Sequence, residues 1–155
     1  MRKIFSVFAK NVDNFCKFFW AATTNIILDL IFKRDGYDVA VDLFKVISKH
    51  RHTGYITASS VTDLFYIIHK NLHNNEKTYQ SMDYIFKLVS VLGVMPDDIK
   101  DAFESKWKDF EDCVQYTTAK NNDIDYIVTV NIKDYEKEGS DFVITPEECI
   151  ELLKQ

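Results

Sequence analysis

The chain alternates short runs of β-branched and aromatic residues with longer stretches whose apolar residues recur at helical spacing. That alternation restricts its fold more than any other feature. Phe18-Phe19-Trp20-Ala21-Ala22, Gly54-Tyr55-Ile56-Thr57, Val94-Met95, Tyr126-Ile127-Val128-Thr129-Val130 and Phe142-Val143-Ile144 read as strands. Between them, Asn25 to Phe32 predicts a short helix broken near Gly36. Tyr37 to His50 predicts an amphipathic helix through Val39, Val41, Leu43, Phe44 and Ile47. Ser59 or Ser60 is placed to cap a helix reaching about Asn71. Lys77 to Leu92 carries the longest helical pattern, closed by Gly93. Pro96-Asp97-Asp98 opens the next helix, because proline suits a first turn and acids there complement the helix dipole. Trp107 to Lys120 gives another, ended by Asn121-Asn122, and Thr145-Pro146-Glu147-Glu148 caps the last. Strands separated by helices require crossover connections. The expected class is therefore α/β: three layers, with a central, mostly parallel sheet of four or five short strands.

With 155 residues, 4 Gly and 2 Pro, the chain has the size of one domain and no flexible linker, so residues 1–155 are expected to form a single domain. The 24 acidic against 19 basic residues, net −5, argue against a protein that coats DNA through a broad basic face. Cys16, Cys113 and Cys149 are odd in number and widely spaced, which fits neither a disulfide framework nor a zinc ribbon and suits a reducing cytoplasm. Met1 to Ala9 imitates a signal peptide, but Lys10, Asp13 and Lys17 interrupt any apolar core. The apolar stretch Phe18 to Leu28 is too short for a membrane-spanning helix, which needs ~20 residues, so no membrane association is expected.

In such sheets, function sits beyond the carboxyl ends of the strands. Polar clusters stand there: Thr23-Thr24-Asn25, then Thr62-Asp63, then Asp109 and Asp112 on a helix, then Thr129, Asn131 and Asp134. Taken singly, an acid near a helix start is a cap or a solvated residue. Convergent carboxylates, however, are the hard oxygen ligands that suit Mg²⁺ or Mn²⁺, and a metal so held can activate water against a phosphodiester.

Four segments in order carry a family resemblance. They are Thr24-Asn25-Ile26-Ile27-Leu28-Asp29-Leu30, Ile56-Thr57-Ala58-Ser59-Ser60-Val61-Thr62-Asp63, Asp109-Phe110-Glu111-Asp112-Cys113-Val114-Gln115-Tyr116 and Ile127-Val128-Thr129-Val130-Asn131-Ile132-Lys133-Asp134-Tyr135. Together they resemble the motifs of PIN domains, most closely the VapC-like toxin nucleases of toxin–antitoxin pairs. Ile144-Thr145-Pro146-Glu147-Glu148 is similar to the usual ending of that family. The resemblance covers about residues 18 to 153 and makes residues 1–17 an atypical N-terminal extension. It implies a PIN-like fold and an endoribonuclease dependent on Mg²⁺ or Mn²⁺. Asp63, Asp112 and Asp134 would be the catalytic and metal-binding acids, with Thr23, Asn25, Thr129 and Asn131 in support. It also implies an RNA substrate, a homodimer and an antitoxin protein as partner. The family's first motif reads Asp-Thr-Asn; here Thr23-Thr24-Asn25 stands in its place, and a neutral hydroxyl is a poor substitute for a carboxylate. The alternative is therefore a catalytically inactive PIN-fold protein that binds RNA or antitoxin.

Other motifs give less. His69 and His73 have zinc-ligand spacing, but Lys70 stands where a zinc protease has Glu, so a solvated helix face is expected. Lys49-His50-Arg51-His52 complements a helix C-terminus. Trp107, between Lys106 and Lys108, reads as a core anchor, and Phe65, Tyr66, Ile67, Tyr84 and Phe86 as core or an apolar dimer face. Asp123-Ile124-Asp125 reads as a turn before a strand. No glycine-rich phosphate loop or nucleophile elbow occurs, so no nucleotide cofactor is expected.

Overall fold

A computed structural model describes residues 19–50, 53–135 and 142–154. Five strands are present there: β1 (Phe19–Ala22), β2 (Thr53–Thr57), β3 (Ser90–Leu92), β4 (Tyr126–Val128) and β5 (Val143–Ile144). The helices are α1 (Thr24–Phe32), α2 (Tyr37–His50), α3 (Ala58–Leu72), α4 (Asn75–Leu88), α5 (Pro96–Ser105), α6 (Phe110–Asn121) and α7 (Pro146–Leu153), with a 3₁₀ turn over Ile132–Tyr135. The sheet runs β3-β2-β1-β4-β5, and all four pairings are parallel rather than mostly so.

Side chains alternate across the sheet, as the pleat requires. Trp20, Ala22, Ile56 and Val128 face one way and meet buried residues of α1, α2, α3, α4 and α7, including Ile27, Leu43, Leu64, Ile85 and Cys149. Ala21, Ile127 and Val143 face the other way and meet Tyr116 and Ala119 of α6, with Tyr135 of the 3₁₀ turn. Ala102 of α5 packs on Cys113 and Val114 of α6. The molecule thus has the expected three layers. Trp20 stands beside Gly54 in the β1–β2 register, and a Cβ at Gly54 would lie 2.8 Å from Trp20 Cε2, so only glycine leaves the indole its place.

Three element boundaries differ from the sequence expectation. The helical pattern expected from Lys77 to Leu92 ends at Leu88: Val89 is extended, and Ser90–Leu92, not Val94-Met95, form the third strand. The helix expected from Trp107 begins at Phe110, because Lys106 turns left-handed and Asp109 caps the helix by accepting from Asp112 N–H at 3.1 Å. The α3 cap is Thr57, which accepts from Ser60 N–H at 3.3 Å, rather than Ser59 or Ser60. The capping box of α7 is as expected, with Thr145 and Glu148 exchanging hydrogen bonds. Among the described residues, no helix is long and apolar enough to cross a membrane. Phe18 and the whole extension over 1–17, Cys16 included, lie outside the described residues, as do Arg51 and His52.

Candidate active site

From β1 the chain works outward through β2 to β3, then crosses back to lay β4 on the other side of β1. The strand order therefore reverses between β1 and β4, and loops leaving their carboxyl ends open a crevice there. Thr23 follows β1 and Thr129 follows β4. Thr23 N–H donates to Val128 C=O at 3.1 Å, and Thr129 N–H donates to Ile144 C=O at 3.0 Å, so both are held as strand continuations. Their side chains are 3% and 1% exposed, and Thr23 Oγ1 donates to Thr129 Oγ1 at 3.4 Å. Thr129 Oγ1 also accepts from Asn131 N–H at 3.1 Å. The floor of the crevice is a pair of mutually satisfied hydroxyls.

Carboxylates gather above that floor from three elements. Half-buried Asp63 comes from α3, Asp109 from the N-cap of α6, Glu111 and Asp112 from its first turn, and exposed Asp134 from the 3₁₀ turn. Asp112 Oδ1 accepts from the hydroxyl of Tyr135 at 3.0 Å. Glu111 Oε1 accepts from Thr24 Oγ1 at 3.3 Å and Gln115 Nε2 at 3.2 Å.

Their charges are coupled. Loss of solvent raises the Asp112 carboxyl above its ordinary range, Asp109 and Asp134 push it further, and the Tyr135 hydrogen bond offsets part of this. Glu111 is raised in the same way, by desolvation first, then by Asp63, with Asp109 and Asp112 adding and the Thr24 hydrogen bond opposing. Asp63, Asp109 and Asp112 thus act on Glu111, and Asp109 and Asp134 act on Asp112, so these acids are linked through Glu111 and Asp112.

A carboxyl raised on folding stabilises the fold below its ordinary pKa of about 4, and that contribution is lost as pH rises through the raised value. Metal-free Glu111→Gln is accordingly expected to match the wild type in melting temperature near pH 4 and to exceed it progressively toward pH 7. Melting curves across that window, in EDTA, check this; a constant gap would separate Glu111 from the acid unit.

A family model for the PIN domain matches residues 23–133. The chain belongs to the PIN-domain family. Comparison with curated proteins gives no match. Among solved structures, the chain is similar to one in VapBC2 from Rickettsia felis, determined with a DNA fragment from their promoter: 16% identity, TM-score 0.66, covering 81% of this chain and 97% of that one. It is also similar to a chain of a toxin–antitoxin complex from Klebsiella pneumoniae: 18% identity, TM-score 0.59, covering 81% and 96%.

Within this PIN domain, Thr23 and Thr129 follow β1 and β4 and Asn131 is bonded to Thr129, while Asp63 lies on α3, Asp112 in the first turn of α6 and Asp134 in the 3₁₀ turn. Asn25 is half-buried at the start of α1 and forms no side-chain hydrogen bond among the described residues. Sequence reasoning missed Glu111 and Tyr135. Glu111 was detectable as the acid between Asp109 and Asp112 in one helical turn. Tyr135 was detectable as an aromatic with a polar tip directly after Asp134.

Mg²⁺ or Mn²⁺ would find oxygen donors of the right kind here, in carboxylates whose mutual repulsion a cation relieves. The donors fall short in number. Among the described residues, no three His, Cys, Asp or Glu are arranged as ligands of one ion, and the hydroxyl at the first motif is bonded to Thr129. His69 and His73 are not a metal pair: His69 stacks on Phe65 with centroids 6.2 Å apart, and His73 is the left-handed C-cap of α3. Trp107 is a core anchor, packed on Tyr116 and Tyr135.

Away from the acids, α1, α2 and α4 border a groove of about 1020 Å³. Leu30, Phe44 and Leu88 line it with Lys45, Lys49 and Lys77.

Proposed function

We propose that the chain is a VapC-like toxin endoribonuclease with weakened turnover. The observation that supports this reading is the PIN-domain match together with the acids at the start of α6, where Glu111 is bonded to Thr24 beside the β1 tip and Asp112 to Tyr135. Asp63, Asp112 and Asp134 are the candidate acids for Mg²⁺ or Mn²⁺, which when bound would supply an activated water and neutralise phosphate charge, and to hold one ion they would have to draw together from their present arrangement. The chain's own residues orient these acids. Tyr135 grips Asp112, and Asn131 N–H holds the Thr129 hydroxyl at the crevice floor. Thr23 weakens the site because it adds no charge where the family's motif has Asp.

The partner is an antitoxin. The groove bordered by α1, α2 and α4 suits an amphipathic helix whose apolar face covers Val41, Tyr84 and Leu88 and whose acids pair with the three lysines. The protein works as a homodimer in the cytoplasm. Its buried Cys149 thiol suits a reducing compartment.

A second reading has a specific observation behind it. The buried Thr23–Thr129 hydrogen bond satisfies the crevice floor without a metal, which favours a PIN fold that binds RNA or antitoxin without cutting.

Incubation of the full chain with structured and single-stranded RNA decides between them. Slow cleavage in Mn²⁺, abolished by EDTA, is the expected result. Retention of RNA without any cleavage, in either metal, supports the second reading.

A further inference from the structure

Tyr135 ends the 3₁₀ turn, and its side chain is 1% exposed. Its ring is fixed from two sides. Trp107 meets it edge-on with centroids 5.7 Å apart at 83°, and Ala21, Ile127 and Val143 of the sheet belong to the same buried cluster. Trp107 is in turn packed on Tyr116 at 5.1 Å, and Tyr116 on Phe142 at 5.6 Å. A ring so enclosed has one place for its hydroxyl, and that place is 3.0 Å from Asp112 Oδ1.

Asp112 needs such an anchor. It sits in the first turn of α6 with Asp109 as the cap, and the charges of Asp109 and Asp134 both act on it. Left free, two like charges favour rotation of the Asp112 carboxylate about its side-chain bonds, toward solvent. The phenol opposes that rotation by holding Oδ1.

We infer that Tyr135 is a positioning residue. Its hydroxyl tethers Asp112 against the repulsion of Asp109 and Asp134 and so fixes the direction of the other oxygen, Oδ2. This rests on the nuclease reading only for its consequence; the tether itself is a statement about Asp112.

Tyr135→Phe keeps every ring contact and removes the hydroxyl. In the full chain, three measurements are made side by side. Crystal structures of wild type and variant are expected to show the Asp112 carboxylate rotated away from residue 135 in the variant. Mn²⁺ affinity, followed by the electron paramagnetic resonance of free Mn²⁺, is expected to fall about tenfold, the usual cost of losing a hydrogen-bond partner behind a ligand. RNA cleavage is expected to lose kcat with KM unchanged. In the wild type, a slowly exchanging Tyr135 hydroxyl proton is expected by NMR, and its absence counts against the tether even if the variant is unstable. An unrotated Asp112 in Tyr135→Phe overturns the proposal. A wild type that neither binds Mn²⁺ nor cuts RNA overturns the nuclease reading instead, while the orientation of Asp112 still decides for or against the tether.

Discussion

Thr23→Asp is expected to raise Mn²⁺-dependent RNA cleavage about 100-fold, equivalent to about 2.7 kcal/mol of barrier. It is also expected to lower the melting temperature of the metal-free protein. Both follow from where Thr23 lies. Its side chain is 3% exposed at the tip of β1, and its hydroxyl donates to Thr129. A carboxylate there loses its hydration beside acids that already repel one another, at a cost of about 1–3 kcal/mol for an incompletely satisfied buried group. In a chain of this size that is a fall of roughly 2–4 °C per kcal/mol. The Thr129 hydroxyl recovers part of it, since its proton can turn to the new carboxylate while its oxygen still accepts from Asn131 N–H. Mn²⁺ recovers the rest by mass action, about 2.7 kcal/mol at 100 times its Kd. The variant should therefore melt below the wild type in EDTA and gain more from Mn²⁺ than the wild type does. Melting curves with and without Mn²⁺, beside cleavage rates, test this. A folded Thr23→Asp that gains nothing from Mn²⁺ and cuts no faster would leave the binding-protein reading as the better one.

How far the sequence revealed this arrangement depended on burial. Central strands β1 and β4 are covered on both faces, so Trp20-Ala21-Ala22 and Ile127-Val128 appear as continuous apolar runs and were recognisable. The edge strand β3 is different: Ser90 and Val91 are exposed, and its residues continue the periodicity of α4 without a Gly or Pro between. The break at Val89 is a tertiary decision, made when β3 pairs with β2. The α6 start was misread for a related reason. Trp107 extends the apolar pattern of the helix, yet it faces Tyr116 and Tyr135 from the turn before Asp109.

At the site, motif order named Asp63, Asp112 and Asp134 as the candidate acids. The contacts that tune those acids were not legible. Whether Glu111 reaches Thr24, or Tyr135 reaches Asp112, depends on side-chain direction in a helical turn and in a 3₁₀ turn, 87 and 23 residues apart in sequence. Thr23 was legible as a departure. Its bond to Thr129, 106 residues on, shows how the chain accommodates that departure with no buried group left unpaired at the crevice floor.

Asp112→Asn separates a functional acid from a structural one by moving activity and stability in opposite directions. Asparagine is nearly isosteric, and its Oδ1 still accepts from the Tyr135 hydroxyl, so the tether is kept. The negative charge is lost. In the Thr23→Asp background, cleavage should fall on the order of 1,000-fold, the scale seen when one member of a catalytic unit is neutralised. In the absence of metal the same change should raise the melting temperature, because it removes a carboxyl destabilised by desolvation and by Asp109 and Asp134. Since the Asp112 pKa is raised on folding, that gain should be absent near pH 4 and grow as pH rises through the raised value. Mn²⁺ should shrink it, because the charge that is a liability without the cation is the ligand with it. Wild-type cleavage in Asp112→Asn would remove Asp112 from the site. A lower metal-free melting temperature would make it a structural acid, held by Tyr135 for the sake of the α6 N-terminus rather than for chemistry.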